Sequence, residues 1–151
     1  MNIFNFLIQT DHCDIHFASC SFDGDVKLWN LEQNEPIADL GGHEYRVSRL
    51  CFHQSGRFLA TSCHDHSWRL WDLEAGEEIL HQEGHTRAVF QVKFHPDGGV
   101  AATVGHDGYG RLWDLRTGRC IMFLEGHSQE LYDCDFKPFL LKNYNARFLT
   151  I

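Results

Sequence analysis

A histidine, a hydroxyl residue, an aspartate and a tryptophan recur together in this chain: His43, Thr61, Asp65 and Trp71, then His85, Thr103, Asp107 and Trp113. Ser19, Asp23 and Trp29 repeat the last three members, and His127 repeats the first. A hydroxyl, an imidazole and a carboxylate are the parts of a nucleophilic site, where a base within hydrogen-bond reach activates the hydroxyl and an acid orients the base. Two features argue against catalysis. The set recurs at one spacing, whereas a catalytic centre is single. Its fourth member brings an indole N–H, a donor without acceptor capacity, suited to terminating a buried network. A structural reading uses all four: the Asp accepts from its turn and from the His, the His links Asp to hydroxyl, and the hydroxyl accepts from Trp. Each such bond contributes on the order of 1 kcal/mol, and an orphaned buried member costs roughly 1–3 kcal/mol. The expectation is a set of structural tetrads and no catalytic residue.

The elements that must position these groups follow from the same spacing. Gly42-His43, Gly84-His85 and Gly126-His127 stand 42 residues apart, as do Trp29-Asn30, Trp71-Asp72 and Trp113-Asp114. A period in the low forties, with Gly-His at the start and Trp-Asp at the end, marks four-stranded propeller blades. The second repeat reads as strands over 47–53, 57–63, 67–72 and 78–82, with Ser48, Leu50 and Phe52 on one face of the first. Tight turns at Gln54-Ser55-Gly56 and His64-Asp65-His66 join them into an antiparallel meander. The third repeat replaces Ser48, Leu50 and Phe52 by Phe90, Val92 and Phe94. The first repeat enters in mid-phase, with strands over 15–20 and 26–29 and Met1 where an entry His belongs. The fourth starts with Tyr132, Cys134 and Phe136, then drifts and reaches no Trp-Asp. The organisation expected is an atypical segment 1–13, an incomplete repeat 14–41, full repeats 42–83 and 84–125, and an incomplete, divergent repeat 126–151. The fold class is all-β: a partial β-propeller of about three and a half blades, short of the about 4–8 that close a ring, and so a fragment of a longer protein or a truncated product.

Composition narrows the functions. Of 151 residues, 43% are apolar, enough for a packed core, and the net charge is −8 with 13 scattered Lys and Arg. Non-specific nucleic-acid binding rests on clustered cations that release counterions, and no basic run is present. The six cysteines show no paired spacing, which fits free thiols in a reducing compartment. Residues 1–10 lack the basic start and cleavage site of a signal peptide, and no apolar run approaches the roughly 20 residues of a membrane span. Cys63, His64 and His66 lie close in sequence, but zinc sites use four ligands in paired spacings; neither metal nor cofactor is expected.

The Gly-His loops and Trp-Asp strands resemble the WD-repeat (WD40) family over about residues 14–136. The stretches HQSGRFLATSCHDHSWRLWDLE at 53–74, EAGEEILHQEGH at 74–85 and GRLWDLRTGRCIMFLEGH at 110–127 look most like the branch that serves the U4/U6 particle of the splicing machinery. The resemblance implies a seven-bladed parent and a non-catalytic nuclear scaffold of the U4/U6 particle and its tri-snRNP with U5. It implies protein partners, namely a companion splicing factor and a cyclophilin. Association with U4 and U6 RNA would come mainly through the complex or through regions this sequence lacks; neither a membrane nor a small-molecule substrate is implied. By the family's pattern the partner-binding rim maps to Arg46, Ser48, Ala88, Phe90, Glu130 and Tyr132. The alternative is a substrate receptor of a cullin-type ubiquitin ligase, because Trp113-Asp114-Leu115-Arg116 resembles the motif by which some WD proteins dock a ligase adaptor.

Overall fold

The computed structural model describes residue 15 and residues 17–137. Segment 1–13, the Met1 position and the drifting stretch 138–151 lie outside the described residues. Among the described residues are eleven strands: β1 (Phe17–Cys20), β2 (Val26–Trp29), β3 (Pro36–Asp39), β4 (Val47–Phe52), β5 (Phe58–Cys63), β6 (Ser67–Asp72), β7 (Glu77–Glu83), β8 (Val89–Phe94), β9 (Val100–Gly105), β10 (Gly110–Asp114) and β11 (Arg119–Leu124). They form three antiparallel meanders, β1-β2-β3, β4-β5-β6-β7 and β8-β9-β10-β11, here called blades 1, 2 and 3. The chain is all-β, with WD40-type blades of a partial propeller.

Each inner hairpin closes on a residue with positive φ: Gly24 at 99°, His66 at 74° and Gly108 at 79°. Glycine enters this region without a Cβ penalty, whereas His66 carries it. The aspartate immediately before that residue tightens each turn. Asp65 Oδ1 accepts from the Ser67 amide at 2.9 Å, and Asp107 Oδ1 from the Tyr109 amide at 3.2 Å.

Register corrects the simple alternation expected for the inner strands. In β4 the pairing jumps from Val47↔Cys63 to Arg49↔Ser62, and in β8 from Val89↔Gly105 to Gln91↔Val104. Ser48 and Phe90 are therefore bulged residues, and a bulge shifts the following side chains to the other face. Val47 and Leu50 face one seam, while Phe52 is 37% exposed. Phe90 is likewise set apart from the core residues Val89 and Val92. A second series of bulges falls just before the tryptophan of each tetrad, at Leu28/Trp29, Leu70/Trp71 and Leu112/Trp113. The strand expected at Tyr132, Cys134 and Phe136 is not formed: residues 125–137 carry no strand.

The core lies in the seams between blades. Val26 and Leu28 of blade 1 meet Val47, Leu59, Trp71 and Leu73 of blade 2. One repeat later, Trp68 and Leu70 meet Val89, Ala101 and Trp113, with Leu115 packed alongside. The two clusters are the same contact translated by 42 residues. Burial of about 1.5–3 kcal/mol per large side chain makes this stacking, rather than any single sheet, the source of stability.

Candidate functional site

The tetrads sit inside the blades. In blade 3 the set is continuous: Trp113 Nε1 donates to Thr103 Oγ1 at 2.8 Å, Thr103 Oγ1 meets His85 Nε2 at 2.8 Å, and His85 Nδ1 meets Asp107 at 3.0 and 3.1 Å. An ionised carboxylate only accepts, so Nδ1 carries the proton, Nε2 accepts, and the threonine hydroxyl donates. Every donor points along the chain toward Asp107, which also accepts from the Thr86 amide at 3.0 Å. Burial raises the Asp107 carboxyl pKa, but the bonds from His85, Thr86 and Tyr109 outweigh it and leave a net lowering. Burial also lowers the His85 pKa, against the pull of Asp107.

In blade 2 the network stops one step short. Trp71 Nε1 donates to Thr61 Oγ1 at 3.0 Å and His43 Nε2 meets Thr61 Oγ1 at 2.8 Å, but His43 Nδ1 is buried with no partner. The expected His43–Asp65 bond is absent. Asp65 instead accepts from the Ser67 hydroxyl at 2.6 Å and from Arg69 at 3.1 Å. Burial, reinforced by Arg69, pushes the His43 pKa down to about 4. In blade 1 only one link stands, Trp29 Nε1 to Ser19 Oγ at 2.8 Å; Asp23 holds its own turn through the Ser21 hydroxyl. His127 is exposed.

This geometry does not suit nucleophilic chemistry at either complete set. Thr61 and Thr103 are 0% exposed, so neither hydroxyl has a face open to a substrate. A cation fares no better. A His43 ring nitrogen, Cys63 Sγ and an Asp65 oxygen lie within 4.8 Å of one another, a workable donor trio in kind. Arg69, however, already places a positive charge on Asp65, and burial pushes the Cys63 thiol up to about 11, away from the thiolate a metal needs. Cys63, His64 and His66, close in sequence, are not brought together as ligands: His66 is exposed, and the Cys63 thiol donates to the Tyr45 carbonyl at 3.3 Å.

The rim residues divide. Ser48 is 7% and Ala88 9% exposed, so both leave the candidate surface: Ser48 is turned inward at its bulge, and the Ala88 carbonyl accepts from the His106 amide at 2.9 Å. Arg46 is exposed, its guanidinium 5.6 Å from the Phe22 ring. Glu130 pairs with Arg87 at 3.0 Å and accepts from the Tyr132 hydroxyl at 2.6 Å. Phe90 and Tyr132 meet edge to face at 5.0 Å, and His106 joins both, at 5.4 and 5.3 Å. Arg49 lies over Phe90 at 5.2 Å. This cluster borders a groove of about 550 Å³ that runs along Leu50, Gln91, Lys93 and Asp133. His106 and Arg49 escaped sequence reasoning. The available signal was position: Phe22, His64 and His106 share one turn position, 42 residues apart.

Repeated blades of this register, each closed by a Trp-to-hydroxyl bond, define a WD-repeat protein. The profile of the WD domain, G-beta repeat family matches residues 8–30, 34–72 and 76–114, more than half of the sequence, and the chain belongs to that family. Such proteins generally act as scaffolds for protein–protein contacts. Over 54 residues, 33% of the chain, it is 40% identical to the U4/U6 small nuclear ribonucleoprotein PRP4 of Saccharomyces cerevisiae. Over 54 residues, 36% of the chain, it is 39% identical to the uncharacterized WD repeat-containing protein C227.12 of Schizosaccharomyces pombe. The match spans 12% of the length of either relative.

Proposed function

We propose that this chain is a section of a non-catalytic interaction scaffold of the U4/U6 particle and the U4/U6.U5 tri-snRNP, acting in pre-mRNA splicing in the nucleus. Its repeats run over 14–41, 42–83, 84–125 and 126–151, behind the atypical segment 1–13. The observation that carries the scaffold reading is the surface cluster of Phe90, His106 and Tyr132 under Arg49. Aromatic and Arg side chains are the favoured anchors of protein interfaces, and the polar sets that could do chemistry are closed inside the blades. The 40% identity to PRP4 over 54 residues favours the splicing particle over other scaffolds. The partners are proteins of that particle, a companion splicing factor and a cyclophilin. At a net charge of −8 without a basic run, U4 and U6 RNA are reached through those proteins.

Immunoprecipitation from nuclear extract with an antibody against residues 74–85, followed by sequencing of bound small RNAs, tests this. U4 and U6 should be enriched and should survive moderate salt; their absence refutes the reading. A second reading draws on Arg116, which is 86% exposed and only 4.0 Å from Asp114, and so open to a ligase adaptor. An adaptor in the protein fraction in place of U4 and U6 would favour it.

A further inference from the structure

Two rim positions change sign along the repeat. Arg46, Ala88 and Glu130 stand 42 residues apart, and so do Arg49, Gln91 and Asp133. Each series runs from cation through neutral to anion. The neutral members Ala88 and Gln91 are buried, whereas Arg46, Arg49 and Asp133 are exposed. The fold gathers the series on one surface. Arg49 and Asp133 line the same groove of about 550 Å³, together with Phe90 and Tyr132. Strand β8 joins the two ends: Phe90 lies under Arg49 at 5.2 Å, and Gln91 Nε2 donates to Asp133.

The charges at both ends are free. Among the described residues Arg46 and Arg49 make no ion pair; each guanidinium rests on an aromatic ring, Phe22 at 5.6 Å and Phe90 at 5.2 Å. An arginine laid on a ring keeps its in-plane N–H fork open to a carboxylate. Arg57, Arg69 and Arg87 are already ion-paired. Both free guanidinium charges bear on Cys20, where they oppose the rise that burial imposes on its thiol pKa. At the other end Glu130 is held by Arg87 and by the Tyr132 hydroxyl. Asp133 and Asp135 make no ion pair among the described residues, and Lys93, which also lines the groove, pairs with neither.

We infer that this groove takes an extended protein segment of mixed charge. Its acidic side chains meet Arg46 and Arg49, an apolar side chain lies over Phe90 and Tyr132, and a basic side chain meets Asp133 and Asp135. The inference rests on the scaffold reading above and names the chemistry of the partner. Nucleic acid fits less well. Every phosphate is negative, so a strand attracted by the arginines is repelled by the aspartates, whereas a segment of both signs is attracted at both ends. The same arrangement works against uniformly acidic or uniformly basic segments, because each meets one repulsive end.

The test titrates the full chain against fluorescent probes and follows their anisotropy. The probes are the peptides Glu-Glu-Leu-Leu-Lys-Lys and Lys-Lys-Leu-Leu-Glu-Glu, their all-Glu and all-Lys counterparts, and polyuridine RNA. One mixed peptide should bind more tightly than its reverse, and both uniform peptides and the RNA should bind more weakly than it. Arg49→Glu and Asp133→Lys should each weaken that peptide about five- to tenfold, as exposed charge contacts allow. Reversing all four charges (Arg46→Glu, Arg49→Glu, Asp133→Lys and Asp135→Lys) should switch the preference to the peptide of opposite order. Circular dichroism checks the strands. Should the fourfold variant lose them, Arg49→Gln and Asp133→Asn decide instead, and binding unchanged in both overturns the proposal. Uniform peptides or RNA binding as tightly as the mixed peptides, or a folded fourfold variant keeping the original order, would overturn it too. No splicing component enters this assay, so its failure leaves the U4/U6 reading intact, and loss of U4 and U6 in the immunoprecipitation leaves the peptide result intact.

Discussion

Blades 2 and 3 carry the same four tetrad side chains at the same spacing, yet only blade 3 completes the network. Two differences in neighbouring residues account for this. The first is Gly105 against Cys63. A Cβ at Gly105 would lie 2.6 Å from the Ala88 carbonyl oxygen, 3.2 Å from His85 Nδ1 and 3.4 Å from Asp107 Oδ1. Bare glycine lets histidine and aspartate close on each other, whereas the cysteine side chain occupies that place in blade 2. The second is what faces the shared arginine. Arg69 finds Asp65 at 3.1 Å and Glu78 at 3.3 Å. Arg111 finds the Gly84 carbonyl at 2.6 Å and the Phe123 ring at 4.6 Å, because Cys120 stands where Glu78 stands one repeat earlier. Asp65 is drawn toward a cation, while Asp107 is left to the histidine. A repeat signature thus specifies the participants, and residues outside it decide the bonds.

The largest effect should separate the two arginines. Arg69→Ala leaves a largely buried carboxylate without its cation, though still bonded to Ser67, and should cost about 3 kcal/mol in urea unfolding. Arg111→Ala should cost about 1–2 kcal/mol, for one hydrogen bond and one ring contact. Equal losses would break the comparison. Next, Gly105→Cys should destabilise by about 2 kcal/mol through overpacking and abolish the low-field His85 Nδ1 proton signal in NMR spectra. The reverse change, Cys63→Gly, should raise the His43 pKa from its value of about 4; an unmoved value would show that Arg69 alone holds Asp65 away.

A smaller and sharper effect is acid sensitivity. His43 titrates near 6.5 when unfolded and near 4 when folded, so between those values the unfolded chain binds the extra proton. Stability should therefore be full above pH 6.5 and fall as pH drops toward 4, by at most about 1.4 kcal/mol per pH unit. Urea midpoints at pH 7, 6 and 5 measure the slope. His85 has Asp107 opposing its shift and should contribute less, so replacing His43 by Gln should flatten the slope more than replacing His85. The smallest effect belongs to Arg116→Ala. An exposed arginine should change stability by no more than about 0.5 kcal/mol and leave U4 and U6 recovery unaltered.

The architecture was legible because its signal is periodic. Gly-His and Trp-Asp at 42-residue steps announce four-stranded units, and the turn expected at His64-Asp65-His66 closes on His66. The candidate surface was only partly legible. Phe90 and Tyr132 stood out as aromatics, but Ser48 and Ala88 were placed beside them by motif position alone. A one-residue bulge, invisible in a polar/apolar pattern, turns Ser48 inward and sends Phe90 toward His106. The alternation expected for Ser48, Leu50 and Phe52 fails at Ser48 for the same reason, whereas Leu50 and Phe52, paired with Thr61 and Leu59, still share a face.

The sequence by itself determined the repeat, its strands and the membership of each tetrad, because these depend on local spacing and residue type. Tertiary structure alone decided which tetrad closes and which rim residues reach the surface. Those outcomes depend on angstrom-scale contacts between segments tens of residues apart, where one Cβ or one competing carboxylate redirects a hydrogen bond.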